Sequence, residues 1–122
     1  MPETRVPVEQ REGALYGRTS IFLKNIDFFD GLNTFVFNGH IDLGMSSTCQ
    51  AIDDIPISLV FNGVLAFRLL ELDSWREEYV SSFMEVNNSQ WIAELGGKVT
   101  DQHRHFVVME YDNVFDIVCS EF

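Results

Sequence analysis

Residues 57–69 read I-S-L-V-F-N-G-V-L-A-F-R-L, and residues 34–43 read T-F-V-F-N-G-H-I-D-L. In the longer stretch Ile57, Leu59, Phe61, Gly63, Leu65, Phe67 and Leu69 share one parity. In the shorter one Phe35, Phe37, Gly39, Ile41 and Leu43 do the same, with Thr34, Asn38, His40 and Asp42 opposite and Val36 the one apolar exception there. A period of two is the signature of a strand with one face buried. Each stretch carries the tripeptide Phe-Asn-Gly in the same phase, at Phe37-Asn38-Gly39 and Phe61-Asn62-Gly63.

Asn-Gly is also the favoured two-residue hairpin turn, so each stretch has a second reading as a short hairpin. Hairpin pairing would set Phe35 against Asp42 and Ile57 against Arg68, mixing apolar and charged residues on one face. One continuous strand keeps the apolar face whole and is the preferred reading. The glycines then mark a bulge or the close approach of another backbone.

Working outward, Ser20–Ile26 reads as a further strand. It runs into Asp27-Phe28-Phe29-Asp30-Gly31, where Asp-Gly signals a turn. The ligand positions of a calcium loop would fall on Ile26 and Phe28, which excludes that motif. Gly44–Pro56 reads as a long polar loop. Asp73 or Ser74 could cap a helical turn through Trp75–Glu78. Ser82–Val86 reads as a strand and Asn87–Leu95 as a short helix. Asn87 and Gln90 resemble a capping box, Gly96-Gly97 supplies the stop, and Trp91, Ile92 and Leu95 face the sheet. His105–Tyr111 and Val114–Phe122 form a terminal hairpin turning at Asp112-Asn113, with Val108 opposite Ile117 and Phe106 opposite Cys119. The expected fold is mainly β, an antiparallel sandwich or barrel with one or two short helices. Residues 1–13, with Pro2 and Pro7, read as a flexible arm, and residues 14–122 as one domain.

The chain of 122 residues is 46% hydrophobic, and 11 residues are Phe, enough for a core without metal or disulfide. Its formal charge is −11. Four basic residues face three acids in residues 1–24, whereas 25–67 holds Asp27, Asp30, Asp42, Asp53 and Asp54 and no Lys or Arg. Such a surface repels phosphate backbones, so nucleic acid is not an expected partner. A basic protein is. The charged N-terminus has no apolar run, so neither a signal peptide nor a membrane span is expected there. The two cysteines, Cys49 and Cys119, have no metal-site spacing, and a cytoplasmic setting is expected.

The candidate interface is Phe28 and Phe29 with Asp27 and Asp30, joined by Asp53 and Asp54. Aromatics ringed by acid suit a protein contact. By size and charge alone, an immunity protein or antitoxin that covers a basic enzyme fits. The alternative is a metal- or small-molecule-binding barrel. Residues on one strand two apart point the same way, so His103 and His105 could share a divalent metal with Glu110. With Gly97 the string is G-x5-H-x-H-x4-E, which resembles the first metal motif of the cupin family. That resemblance implies a β-barrel holding a metal through His103, His105 and Glu110. Ile117 stands where the motif would close with Gly, and no second motif follows. No catalytic constellation is found. Cys119, within an apolar strand, is expected to stay protonated and inert.

Overall fold

The computed structural model describes residues 2–8, 21–42, 54–75, 77 and 79–122. Seven strands form one antiparallel sheet in the order β1-β5-β6-β7-β4-β3-β2. They are β1 (Thr4–Pro7), β2 (Ile21–Phe29), β3 (Thr34–Asp42), β4 (Asp54–Glu71), β5 (Phe83–Asn87), β6 (Arg104–Met109) and β7 (Asn113–Glu121). One helix, α1 (Gln90–Leu95), joins β5 to β6. Thr4–Pro7 therefore belongs to the sheet and pairs with β5, where the composition suggested a flexible arm.

Both Asn-Gly stretches are continuous strands. β4 runs for 18 residues. Its first half pairs with β3 and its second half with β7. Between the halves the register slips at Val64/Ala66, and Gly63 takes φ +61°. A straight strand would hold Phe61 and Phe67 about 20 Å apart. Yet both rings touch Phe37, with centroids at 5.2 and 6.1 Å. β4 is thus bent, and the β2–β3 half of the sheet folds over the other half.

The core lies inside that bend. Ile21, Phe37, Ile41 and Phe61 meet Phe83, Phe106, Phe115 and Ile117, all buried. The glycines fit as expected. A Cβ on Gly39 would lie 2.0 Å from the Phe22 carbonyl oxygen, beside the irregularity of β2 at Leu23/Asn25. On Gly63 it would lie 2.1 Å from Ser120 Oγ.

The outer face of the β5–β6–β7 half buries a second, smaller cluster: Met84, Val86, Val107, Met109 and Val114. Leu72, Trp75 and Val80 pack over it. A 3-10 turn spans Leu72–Ser74, and Arg76 and Glu78 of the turn expected through Trp75–Glu78 lie outside the described residues.

Two local expectations shift. The α1 cap is Ser89, not Asn87; its side chain accepts from the Ile92 N–H at 3.2 Å. The β6–β7 hairpin turns at Tyr111-Asp112, one residue early. The Glu110 N–H donates to the Asn113 carbonyl at 2.9 Å, and Glu110 Oε1 accepts from Asn113 Nδ2 at 2.7 Å. Val108 therefore opposes Phe115 and Phe106 opposes Ile117. The slip is two residues, so the apolar face is preserved.

Candidate functional site

Among the described residues β2 ends the sheet, and its last residues are the expected interface. Asp27, Phe28 and Phe29 lie on the strand itself rather than in a loop, and Asp30 opens a 3-10 turn, Asp30–Leu32. Phe28 and Phe29 are each 51% exposed, so neither tucks under the sheet. They point to opposite faces. Phe28 stacks toward Phe35 at 4.7 Å, and Phe35 stacks on Phe67 at 4.6 Å, so the exposed ring ends an aromatic row that leads into the core. On the other face Asn38 Nδ2 donates to Asn25 Oδ1 at 3.0 Å and to Asp27 Oδ2 at 3.2 Å, and Ser58 Oγ donates to Asn38 at 2.6 Å.

The β2–β3 turn is fixed in place. Asn33, in the left-handed conformation, closes the 3-10 turn by donating to Asp30, and its carbonyl accepts from Val64 N–H at 2.8 Å. Thr34 Oγ1 donates to Asn62 Oδ1 at 2.9 Å. The bend of β4 thus holds the tip that carries Phe28 and Phe29. Asp53 and the side chain of Asp54 lie outside the described residues; the backbone of Asp54 pairs with Asp42, at the end of β3 away from the Phe28–Phe35 pair.

The proposed metal set is not brought together. His103 precedes β6, and its Nδ1 accepts from the Thr100 N–H at 2.9 Å. His105 is buried under α1 with both ring nitrogens engaged: Ser89 Oγ lies 2.7 Å from Nδ1 and Asp116 Oδ1 lies 2.7 Å from Nε2. A metal would have to displace one of these partners. Glu110 is held by Asn113 at the far end of β6. Among the described residues no group of three His, Cys, Asp or Glu is placed to hold a metal.

The partners of His105 form a buried polar row that no local motif announces. Arg68 on β4 sits directly across from Asp116 on β7, and its Nε donates to Asp116 Oδ2 at 3.2 Å. Asp116 is diagonal to His105, which opposes Val118. Ser89 Oγ and Asp116 Oδ1 thus engage the two ring nitrogens, with donor and acceptor roles that follow the tautomer. Trp91 closes the row, edge-on to His105 at 5.3 Å and under the Arg68 guanidinium at 4.2 Å. Serine, histidine and aspartate are the residues of a nucleophilic triad. Here Ser89 is 8% exposed and also caps α1 through Ile92, so the row fastens the helix to the sheet. Sequence reading saw no triad because its members are dispersed over three elements.

A cleft of about 250 Å³ opens beside this row between Arg5, Glu77, Trp91 and Glu94. Arg5 Nη2 donates to Glu3 at 3.0 Å and to Glu77 at 3.4 Å. Across the sheet, Arg104 grips Glu85 through two hydrogen bonds of 2.9 and 2.8 Å, which raises the Arg104 pKa. Cys119 is fully buried, and burial pushes its thiol up to about 11, as expected for an inert thiol. Among the described residues no helix is long and apolar enough to cross a membrane. No family model, no curated protein and no solved structure matches the chain.

Proposed function

We propose that this chain is a protein-binding module whose acidic, aromatic β2 edge covers a basic partner. The observation that carries the reading is the pair Phe28 and Phe29, each half-exposed on a fixed strand end beside the exposed carboxylates Asp27 and Asp30. Large aromatics supply most of the binding energy at protein contacts, and a rigid support lowers the ordering cost. The net charge of −11 selects a basic surface and speeds its capture. A small acidic protein that masks a basic enzyme, as an immunity protein or antitoxin does, fits by size and charge. The reading keeps the cytoplasmic setting expected from the sparse cysteines, and no metal enters it.

The test places a photo-crosslinking residue at Phe29, with a control at the exposed Tyr111. The expected result is a basic protein crosslinked from position 29 and not from 111. Its on-rate falls steeply with salt and on reversal of Asp27 and Asp30, or of Asp53 and Asp54, to Lys. Phe28→Ala and Phe29→Ala mainly speed release. An acidic partner, or an on-rate indifferent to salt, overturns the reading.

A further inference from the structure

The two edges of the sheet differ. β1 is four residues long and ends in Pro7, features that discourage further pairing. β2 is nine residues long, contains no proline, and pairs on one side only among the described residues. In an antiparallel strand every second residue turns its N–H and C=O away from its partner, so β2 presents a row of backbone donors and acceptors to one side. Past the irregularity at Leu23/Asn25, the regular stretch Asn25–Phe29 spans about 17 Å.

Side chains flank that open edge in two different rows. Ile26 and Phe28 lie on the core face, one packed against the core and the other stacked on Phe35. Asn25, Asp27 and Phe29 lie on the opposite face. A chain added alongside would meet an apolar row on one face and, on the other, the Asp27 carboxylate followed by the Phe29 ring.

Resting on the protein-binding reading above, we propose that the partner docks as an extended strand added to β2, and that this strand alternates apolar and basic residues. Its backbone pairs with the edge of β2 that is open among the described residues, the mode that gives affinity through main-chain bonds and specificity through alternate side chains. Its apolar residues lie beside Ile26 and Phe28. Its Lys or Arg residues lie beside Asp27, with aliphatic stem or cation over Phe29. Charge selects this occupant over a second copy of the chain. Pairing β2 with β2 about Asp27 would bring the two Asp27 carboxylates together across the seam, which is destabilising.

The test needs no native partner. Three peptides are titrated to millimolar concentration against the full protein and followed by amide NMR. The first alternates lysine with valine or threonine over seven residues. The second has the same composition in two blocks, and the third is the first with alternate amides N-methylated. The alternating peptide is expected to shift and protect alternate amides within Asn25–Phe29. The N-methylated form, with the same charge, should lose at least tenfold in affinity, and the block peptide should be weaker too. Equal binding by all three overturns strand addition and leaves the acidic interface standing. Absence of any shift in β2, alongside a Phe29 crosslink to a native partner, also overturns strand addition alone. A peptide-free dimer that already protects these amides overturns the choice of occupant.

Discussion

His105 Nε2 lies 2.7 Å from Asp116 Oδ1, and each side chain is 3% exposed. Asp116 also takes the Arg68 Nε–H, and His105 also holds Ser89. One carboxylate thus satisfies two strands at once.

Removing that carboxylate leaves His105 Nε2 buried without its partner, while Arg68, 43% exposed, can turn to water. Asp116→Ala is expected to lower stability by about 1–3 kcal/mol, the cost of a buried polar group left unmade. Ser89→Ala should cost about 1 kcal/mol as a lost cap. Because the residues share a network, the double variant should lose less than the two single losses combined. Urea unfolding of the four proteins checks this, and strict additivity would count against a connected row.

The two tight glycines should fail in different ways. Gly39→Ala meets the Phe22 carbonyl and Leu23 Cα, both backbone. It should cost about 1–3 kcal/mol, and no side-chain trimming should restore it. Gly63→Ala meets Ser120 Oγ and carries φ +61°. Adding Ser120→Gly should recover the steric part and leave the backbone strain, about 1–3 kcal/mol. Full recovery of the melting midpoint in that double variant would refute the strain at Gly63.

Cys119 sets an alkaline limit. Burial raises its thiol from an ordinary value of 9.0 to about 11. The unfolded thiol ionises first, so between those values the folded state binds more protons and stability falls as pH rises. The contribution is fully present below pH 9.0 and is lost toward about 11. Stability measured from pH 8 to 11 should fall more steeply in the parent than in Cys119→Val. In a Cys49→Ser background, a thiol reagent at pH 8 should react only as the protein unfolds. Parallel pH slopes would contradict this.

Both nitrogens of His105 are occupied, so a metal has no free imidazole there. Zinc or nickel added after chelator treatment should give no rise in melting temperature that depends on His103 or His105. A rise abolished by His103→Ala would restore the His103–His105–Glu110 set.

Strand existence was legible from period two: Phe35 to Ile41 and Ile57 to Phe61 behave as their parity demands, but the slip at Val64/Ala66 turns Val64 rather than Leu65 to the core, and Leu69 is 52% exposed. Details set by single competing side chains were not. The Glu110 carboxylate on Asn113 moves the hairpin turn by one residue, and Ser89 outcompetes Asn87 as the cap because it also serves His105. Phe28 and Phe29 looked like loop residues because Asp-Gly follows them, whereas pairing with Phe35 and Thr34 extends β2 to the turn. Acid and aromatic were readable at that edge, but its place at the end of the sheet was not. The Arg68–Asp116–His105–Ser89 row was invisible, since its members meet only through strand register.

β7 lies between β6 and β4, at the centre of the sheet, although it comes last in chain order among the described strands. Until residues 113–121 have emerged from the ribosome, the second half of β4 has no strand to pair with and Phe67 and Leu69 have no β7 residues opposite them. A growing chain therefore carries a long apolar strand in waiting, which is what holdase chaperones recognise and what aggregates when they are absent. Closure joins segments some fifty residues apart, a topology whose loop-closure entropy slows folding. The pairing that centres the sheet thus leaves the second half of β4 without a neighbour until β7 has been made.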